Sequence, residues 1–144
     1  MEKLSVYASE MATSHLDDSR LIDKIVVSVA TQNVMFAGTD AKVHIKIGTH
    51  GNFELNKPGE EGFEAGTIKT FEFNTGFTLG ELRKAPVELG HDNTGKNPGW
   101  CAGGVRIEIK PADSDIIYIY KLWEKIGWLT TDSSPYFSTI VRLQ

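Results

Sequence analysis

The run Ala41-Lys42-Val43-His44-Ile45-Lys46-Ile47 alternates apolar and polar side chains without a break. A period of two belongs to a pleated strand, whose successive side chains point to opposite faces, so this segment builds a sheet with one wet face and not a helix. Lys24 to Ala30 is dominated by β-branched residues, and similar signatures recur at Thr67 to Phe73, Pro86 to Leu89, Val105 to Ile109, Ile116 to Tyr120 and Phe137 to Leu143. Gly48 to Asn52, Pro58-Gly59, Asn74 to Gly76 and Pro98-Gly99 separate them, residue types that turns need for positive φ or a fixed φ. Seven or eight short strands at this spacing, with no long amphipathic helix between them, predict an all-β fold. It is an antiparallel eight-stranded β-sandwich with Greek-key connections. Residues 22–144 form this domain, and residues 1–21 are expected to be an appended tail or short helix. Within Tyr118 to Gly127 the spacing of Leu122, Lys125 and Ile126 also suits one helical turn.

The chain's 144 residues carry fifteen Lys and Arg against nineteen Asp and Glu, a net charge of −4. Capture of a nucleic-acid backbone needs a basic excess on one face, so nucleic acid is not an expected partner. A lone cysteine, Cys101, excludes an intrachain disulfide framework. No apolar run reaches the roughly 18 residues of a membrane span, and none of the six asparagines opens a glycosylation sequon. These features lean toward an intracellular or peripheral membrane location.

Two motifs suggest chemistry and lose it on inspection. Gly90 to Asn97 nearly spells a phosphate-binding loop, but Asn97 replaces the hydroxyl that would bind magnesium, and Pro98-Gly99 forbids the helix that must follow. Cys101, His91 and Asp92 supply a nucleophile, a base and an acid for a thiol-dependent hydrolase. A cysteine just after Trp100, where a strand begins, reads better as packing, with Trp100 itself in the core. The expected function is therefore noncatalytic.

Loop carboxylates are the stronger signal, because a hard cation such as calcium gathers several oxygen ligands from loops. Asp40, Glu60, Glu61, Glu64, Asp92 and Asn93 are the candidates, although aspartates in turns often accept backbone N–H bonds instead. Val34-Met35-Phe36 is the apolar signal, lying between two predicted strands. Met35 is expected at an exposed tip that could enter a bilayer headgroup region, while Phe36 is expected to fold back as a core plug.

Three stretches together resemble the PLAT domain, also called the lipoxygenase homology domain. They are Val27 to Thr31 leading into Phe36-Ala37-Gly38-Thr39-Asp40-Ala41-Lys42-Val43, then Asn56 to Thr67, then Leu79 to Leu82 with Gly90-His91-Asp92-Asn93-Thr94-Gly95 and Pro98-Gly99-Trp100. Gly127-Trp128-Leu129 is a fainter likeness. The resemblance implies an eight-stranded sandwich that does no chemistry and docks a catalytic domain, a membrane or a protein, in some members through calcium. It implies one metal site lined by Thr39, Asp40, Asn56, Gly59, Glu61 and Glu64, with Asp92 and Asn93 near another. Phe36, Asn56, Lys57, Gly62 and about Pro98 stand where calcium-binding members carry acids or an amide, so calcium binding is expected to be weak or absent. Met35, Phe36, Lys96 and Asn97 are the expected contacts to membrane lipid or a partner protein. A third reading is a regulatory domain from a larger lipid-modifying enzyme or channel.

Overall fold

The computed structural model describes residues 4–6, 8–10, 12–56, 62–131 and 139–144. Among them are ten strands and one short helix: β1 (Leu4–Val6), β2 (Ala8–Glu10), β3 (Ile22–Thr31), β4 (Val43–Ile47), β5 (Gly51–Leu55), β6 (Ile68–Asn74), α1 (Leu79–Lys84), β7 (Val87–His91), β8 (Trp100–Pro111), β9 (Tyr118–Leu129) and β10 (Ile140–Leu143). They form two sheets with strand orders β1-β10-β7-β4-β5 and β2-β9-β8-β3-β6. Removing β1 and β2 leaves two antiparallel four-stranded layers, the expected eight-stranded sandwich.

Alternation explains which side chains fill the space between the layers. Ile25, Val27 and Val29 of β3 meet Val43, Ile45 and Ile47 of β4 in one buried cluster that includes Trp100, Trp123, Ile107 and Ile109. Burying such side chains contributes roughly 1.5–3 kcal/mol each relative to leaving them in water, which makes this cluster the main source of stability. The two layers also meet through Phe53 and Phe73, whose ring centres lie 4.9 Å apart.

The ends of the sandwich are closed differently. At the end where β3 begins, α1 plugs the opening with buried Leu79 and Leu82. Thr78 caps this helix: its hydroxyl accepts from the Glu81 N–H at 3.1 Å, and the Glu81 carboxylate accepts from the Thr78 N–H at 2.9 Å. That acceptance leads the effects holding the Glu81 carboxyl below its ordinary value. The opposite end, beyond Thr31, Val43 and His91, carries the long loops.

Several expectations change. The described residues of segment 1–21 are not an appended tail or short helix: β1 pairs in parallel with β10, β2 pairs antiparallel with β9, and Thr13 and Leu16 are buried. Arg83 fastens it by donating to the carbonyls of Thr13 and Leu16 and to the Asp18 carboxylate. Strands of three residues are too short to show a period, which is why the sequence hid them. Ile116 and Ile117 are exposed in the β8–β9 connection, and the strand begins at Tyr118. Across Tyr118 to Gly127 the chain is strand, not helix. Its buried residues Tyr120, Trp123, Ile126 and Leu129 recur every third position, because pairing with β8 slips at two irregularities and Lys125 and Gly127 take positive φ. Each bulge turns the following side chain to the other face and so imitates helical spacing. Phe137, at the start of the last expected strand, lies outside the described residues.

Candidate functional site

Three loops and the end of β9 meet at the open end of the sandwich around a groove of about 870 Å³. The first loop, residues 32–42, supplies Phe36, Thr39 and Asp40; the second, of which residues 62–67 are described, supplies Glu64; the third, residues 92–99, supplies Lys96 and Asn97; β9 adds Trp128.

Backbone contacts fix the loops to one another. The Thr39 N–H donates to the Phe63 carbonyl at 2.7 Å, and the two glycines beside this bridge are required by closeness. A Cβ on Gly38 would stand 2.5 Å from the Phe63 carbonyl oxygen, and one on Gly62 would stand 2.5 Å from that of Thr39. The Thr39 hydroxyl donates to the Pro98 carbonyl at 2.6 Å and accepts from the Ala41 N–H at 3.1 Å. The Asp40 N–H reaches the Asn97 carbonyl at 3.2 Å. Beneath the loops, Trp100 is fully buried, its Nε1 donating to the Thr31 hydroxyl at 2.9 Å and its ring 5.4 Å from that of Phe63.

His91 pins the third loop from below. Only 2% exposed, its ring meets the Leu129 carbonyl through Nε2 at 2.8 Å and the Asn93 N–H through Nδ1 at 3.1 Å. A carbonyl requires a donor and an N–H requires an acceptor, so the pattern assigns the neutral tautomer with its hydrogen on Nε2. Burial pushes its pKa below the ordinary value, against the opposing influence of the Leu129 carbonyl and Asp92. Burial likewise lowers that of nearby His44. Asp92 accepts from the Lys42 N–H at 3.0 Å, the Thr94 N–H at 3.1 Å and the Thr94 hydroxyl. Desolvation disfavours the Asp92 carboxylate, but the hydrogen bonds from Thr94 and Lys42 outweigh it and hold its pKa below the usual value.

This geometry gives a hydrolytic triad no support. Both His91 nitrogens and one Asp92 oxygen serve the loop backbone, and Cys101 is 3% exposed with its thiol pKa raised by burial. A catalytic thiol needs the opposite: access and a depressed pKa.

The expected residues therefore separate. Phe36, Thr39, Asp40, Glu64, Lys96 and Asn97 share the groove. Asn56 lines a neighbouring depression of about 240 Å³, reached also by Asp40, while Asp92 and Asn93 lie in the third-loop turn that His91 holds. Gly59 and Glu61 fall outside the described residues. Among the described residues no three His, Cys, Asp or Glu side chains come together in a way that could hold a metal, and Thr39 is already engaged through both donor and acceptor. The described donors alone do not fit a calcium cage.

Phe36 overturns its expectation. It is not a core plug but 84% exposed, beside Met35 at 79% and Val34 at 44%. Its φ of +63° lies in the left-handed region that bulky residues rarely adopt, and Ala37 takes the fully buried position instead. Trp128 is the residue that motif reasoning missed as a site member. Strand alternation carries the signal: Leu129 enters the core, so Trp128 faces outward.

The profile of the PLAT/LH2 domain matches residues 25–137. The chain belongs to the PLAT/LH2 domain family. It is 39% identical over 88 residues to lipoxygenase homology domain-containing protein 1 of Mus musculus, a match spanning 57% of this chain and 4% of that protein. Among solved structures, a calcium-dependent 11R-lipoxygenase superposes with a TM-score of 0.51 at 27% identity, covering 74% of this chain and 16% of the enzyme. The alpha toxin from Clostridium absonum gives 0.54 at 17% identity, over 77% of this chain and 33% of the toxin, and shares the fold. This PLAT/LH2 domain thus spans a small part of each of these relatives.

Proposed function

We propose that this PLAT/LH2 domain is a noncatalytic module that docks on a membrane surface through the loop end of the sandwich. The observation that carries the reading is the Val34-Met35-Phe36 tip. Three consecutive apolar side chains stand in solvent on a loop that adjoining strands hold in place, an arrangement whose cost is removed when the tip enters lipid. A net charge of −4 gives no general attraction to anionic lipid, so attachment rests on inserted apolar area.

Calcium dependence is part of the name of the 11R-lipoxygenase relative. In this chain calcium assistance would draw on Asp40, Asn56 and Glu64, together with Gly59 and Glu61. Thr39 and Asp92 already serve their loops, so a metal-independent mode is the better supported.

Vesicle co-sedimentation with and without calcium tests the proposal. Wild-type protein is expected to bind in both conditions. Met35→Ala and Phe36→Ala are each expected to weaken binding by about ten-fold, the scale of about 1.5 kcal/mol of lost apolar burial, with unchanged melting temperature. Absence of binding in both conditions overturns the lipid reading and assigns the tip to a protein partner, which the acidic balance also accommodates.

A further inference from the structure

We propose that Met35 is a modification site for hydroperoxides, and that conversion of its thioether to the sulfoxide releases the domain from the membrane. This rests on the membrane-docking reading and adds the chemistry that reverses it. The Ala37 N–H donates to the Val34 carbonyl at 3.2 Å, so Val34 to Ala37 make a tight turn with Met35 and Phe36 at its central positions. Met35 is 79% exposed there, which opens its side chain to a dissolved oxidant. The other sulfur among the described residues belongs to Cys101. At 3% exposure, burial denies an oxidant both access and the thiolate it would attack. Position therefore separates the two sulfurs: one stands on the tip, the other is sealed in the strand beneath it.

The reaction needs no partner beyond the hydroperoxide. A lone pair on the Met35 sulfur attacks the outer oxygen; the S–O bond forms as the O–O bond breaks, and the proton passes to the departing oxygen. Sulfur is oxidised, and the peroxide is reduced to an alcohol or water. The product is a polar side chain where an apolar one stood, and sulfoxide reductases restore the thioether. A sulfoxide oxygen entering the bilayer boundary must shed its hydration and finds no donor in hydrocarbon, so the modification penalises the docked state. The fold is spared. The base of the loop is held by the Cys101 N–H donating to the Ala37 carbonyl at 2.9 Å and the Gln32 N–H donating to the Cys101 carbonyl at 3.0 Å, contacts in which the Met35 side chain takes no part. Coupling is reciprocal: a tip seated in lipid hides the sulfur from aqueous peroxide, just as oxidation opposes seating.

Peroxide treatment followed by peptide mapping, vesicle co-sedimentation and melting tests the proposal. Met1 and Met11 fall outside the described residues, so Met35→Leu serves to isolate the site. In the free protein Met35 is expected to be converted while Cys101 is not, and vesicles added first should slow that conversion. The oxidised protein is expected to bind vesicles about ten-fold more weakly at an unchanged melting temperature, and a sulfoxide reductase should restore binding. Met35→Leu, whatever its own affinity, should bind equally before and after peroxide. Full conversion of Met35 without loss of binding, or an equal loss in Met35→Leu, overturns the proposal and leaves membrane docking standing. Resistance of Met35 to peroxide in the free protein does the same. Untreated protein that ignores vesicles overturns the docking reading and this inference with it.

Discussion

The two ends of the sandwich treat their apolar residues in opposite ways. At the α1 end, Leu79 and Leu82 are turned inward and fully buried, the helix is capped at Thr78, and Arg83 binds the incoming chain to it. At the loop end, Met35 and Phe36 are turned outward, and Phe36 holds a left-handed backbone conformation. One end is built for stability, whereas the other keeps apolar surface in water, a cost that the proposed docking would remove. The contrast teaches that exposed Phe36 is a property of its loop and not of a loosely packed molecule, because the same chain seals its other end with residues of the same kind.

The sharpest way to break this comparison is to damage each end and ask which property fails. Leu82→Ala is expected to lower unfolding stability by about 2–5 kcal/mol, the range for emptying a packed leucine site, while the folded fraction keeps its affinity for vesicles; chemical denaturation beside co-sedimentation checks both. The converse substitution, Phe36→Gly, should abolish most vesicle binding yet raise stability by about 0.5–1 kcal/mol, because glycine relieves the positive φ. A fall in stability there would show that the ring supports the loop and would erase the distinction between the ends. Arg83→Ala is expected to cost about 1–3 kcal/mol, since it strips a donor from the carbonyls of Thr13 and Leu16; proteolysis within residues 12–20 should accelerate, with binding unchanged.

Acidification should act mainly at the loop end. The folded pKa of His91 is depressed by burial, so in acid the unfolded chain takes up a proton that the folded one resists. The stability His91 contributes is present above its unfolded pKa of about 6.5 and is lost as pH falls from there through the lower folded value. His44, depressed for the same reason, adds in the same direction. Melting temperatures between pH 7.5 and 5 should fall, and His91→Gln should flatten part of the slope; a profile indifferent to the substitution would remove His91 from the account. The smallest effect is expected from calcium: a millimolar addition should shift the melting temperature by about one degree or less, because a ligand raises it only in proportion to occupancy of the folded state.

Much of this architecture was legible because strand alternation is a local property. Ala41 to Ile47 declares β4 and its buried face, and the order of the Gly-Thr-Asp, Gly-His-Asp-Asn and Pro-Gly-Trp motifs declares the loops. Less legible were features created by distant pairing. β1 and β2 exist because β10 and β9 offer them unpaired edges, and the three-residue rhythm of β9 follows from slippage against β8. β5 is less legible because it follows a tight turn and buries only Leu55 of its five residues. Helix α1 was signalled by Thr78 and Glu81 at capping-box spacing, a cue shorter than a period search can register. For the site, Thr39, Asp40 and Glu64 line one groove, but the hydrogen bonds that hold Thr39 and Asp40 depend on Pro98, Phe63 and Asn97, which only the folded chain brings within reach. Phe36 departs from expectation because hydrophobicity predicts burial, whereas its loop holds it exposed at a positive φ that the sequence does not announce.

β1 and β2 stand almost next to each other in the chain yet join different layers. Tension applied ahead of residue 12 would therefore reach one sheet through β1 and, once that pairing gives way, the other sheet through β2, whereas tension applied through β10 enters one sheet directly. A pulling experiment from the amino-terminal side should find two small successive releases, one from each layer, because each of these edge strands pairs over three residues.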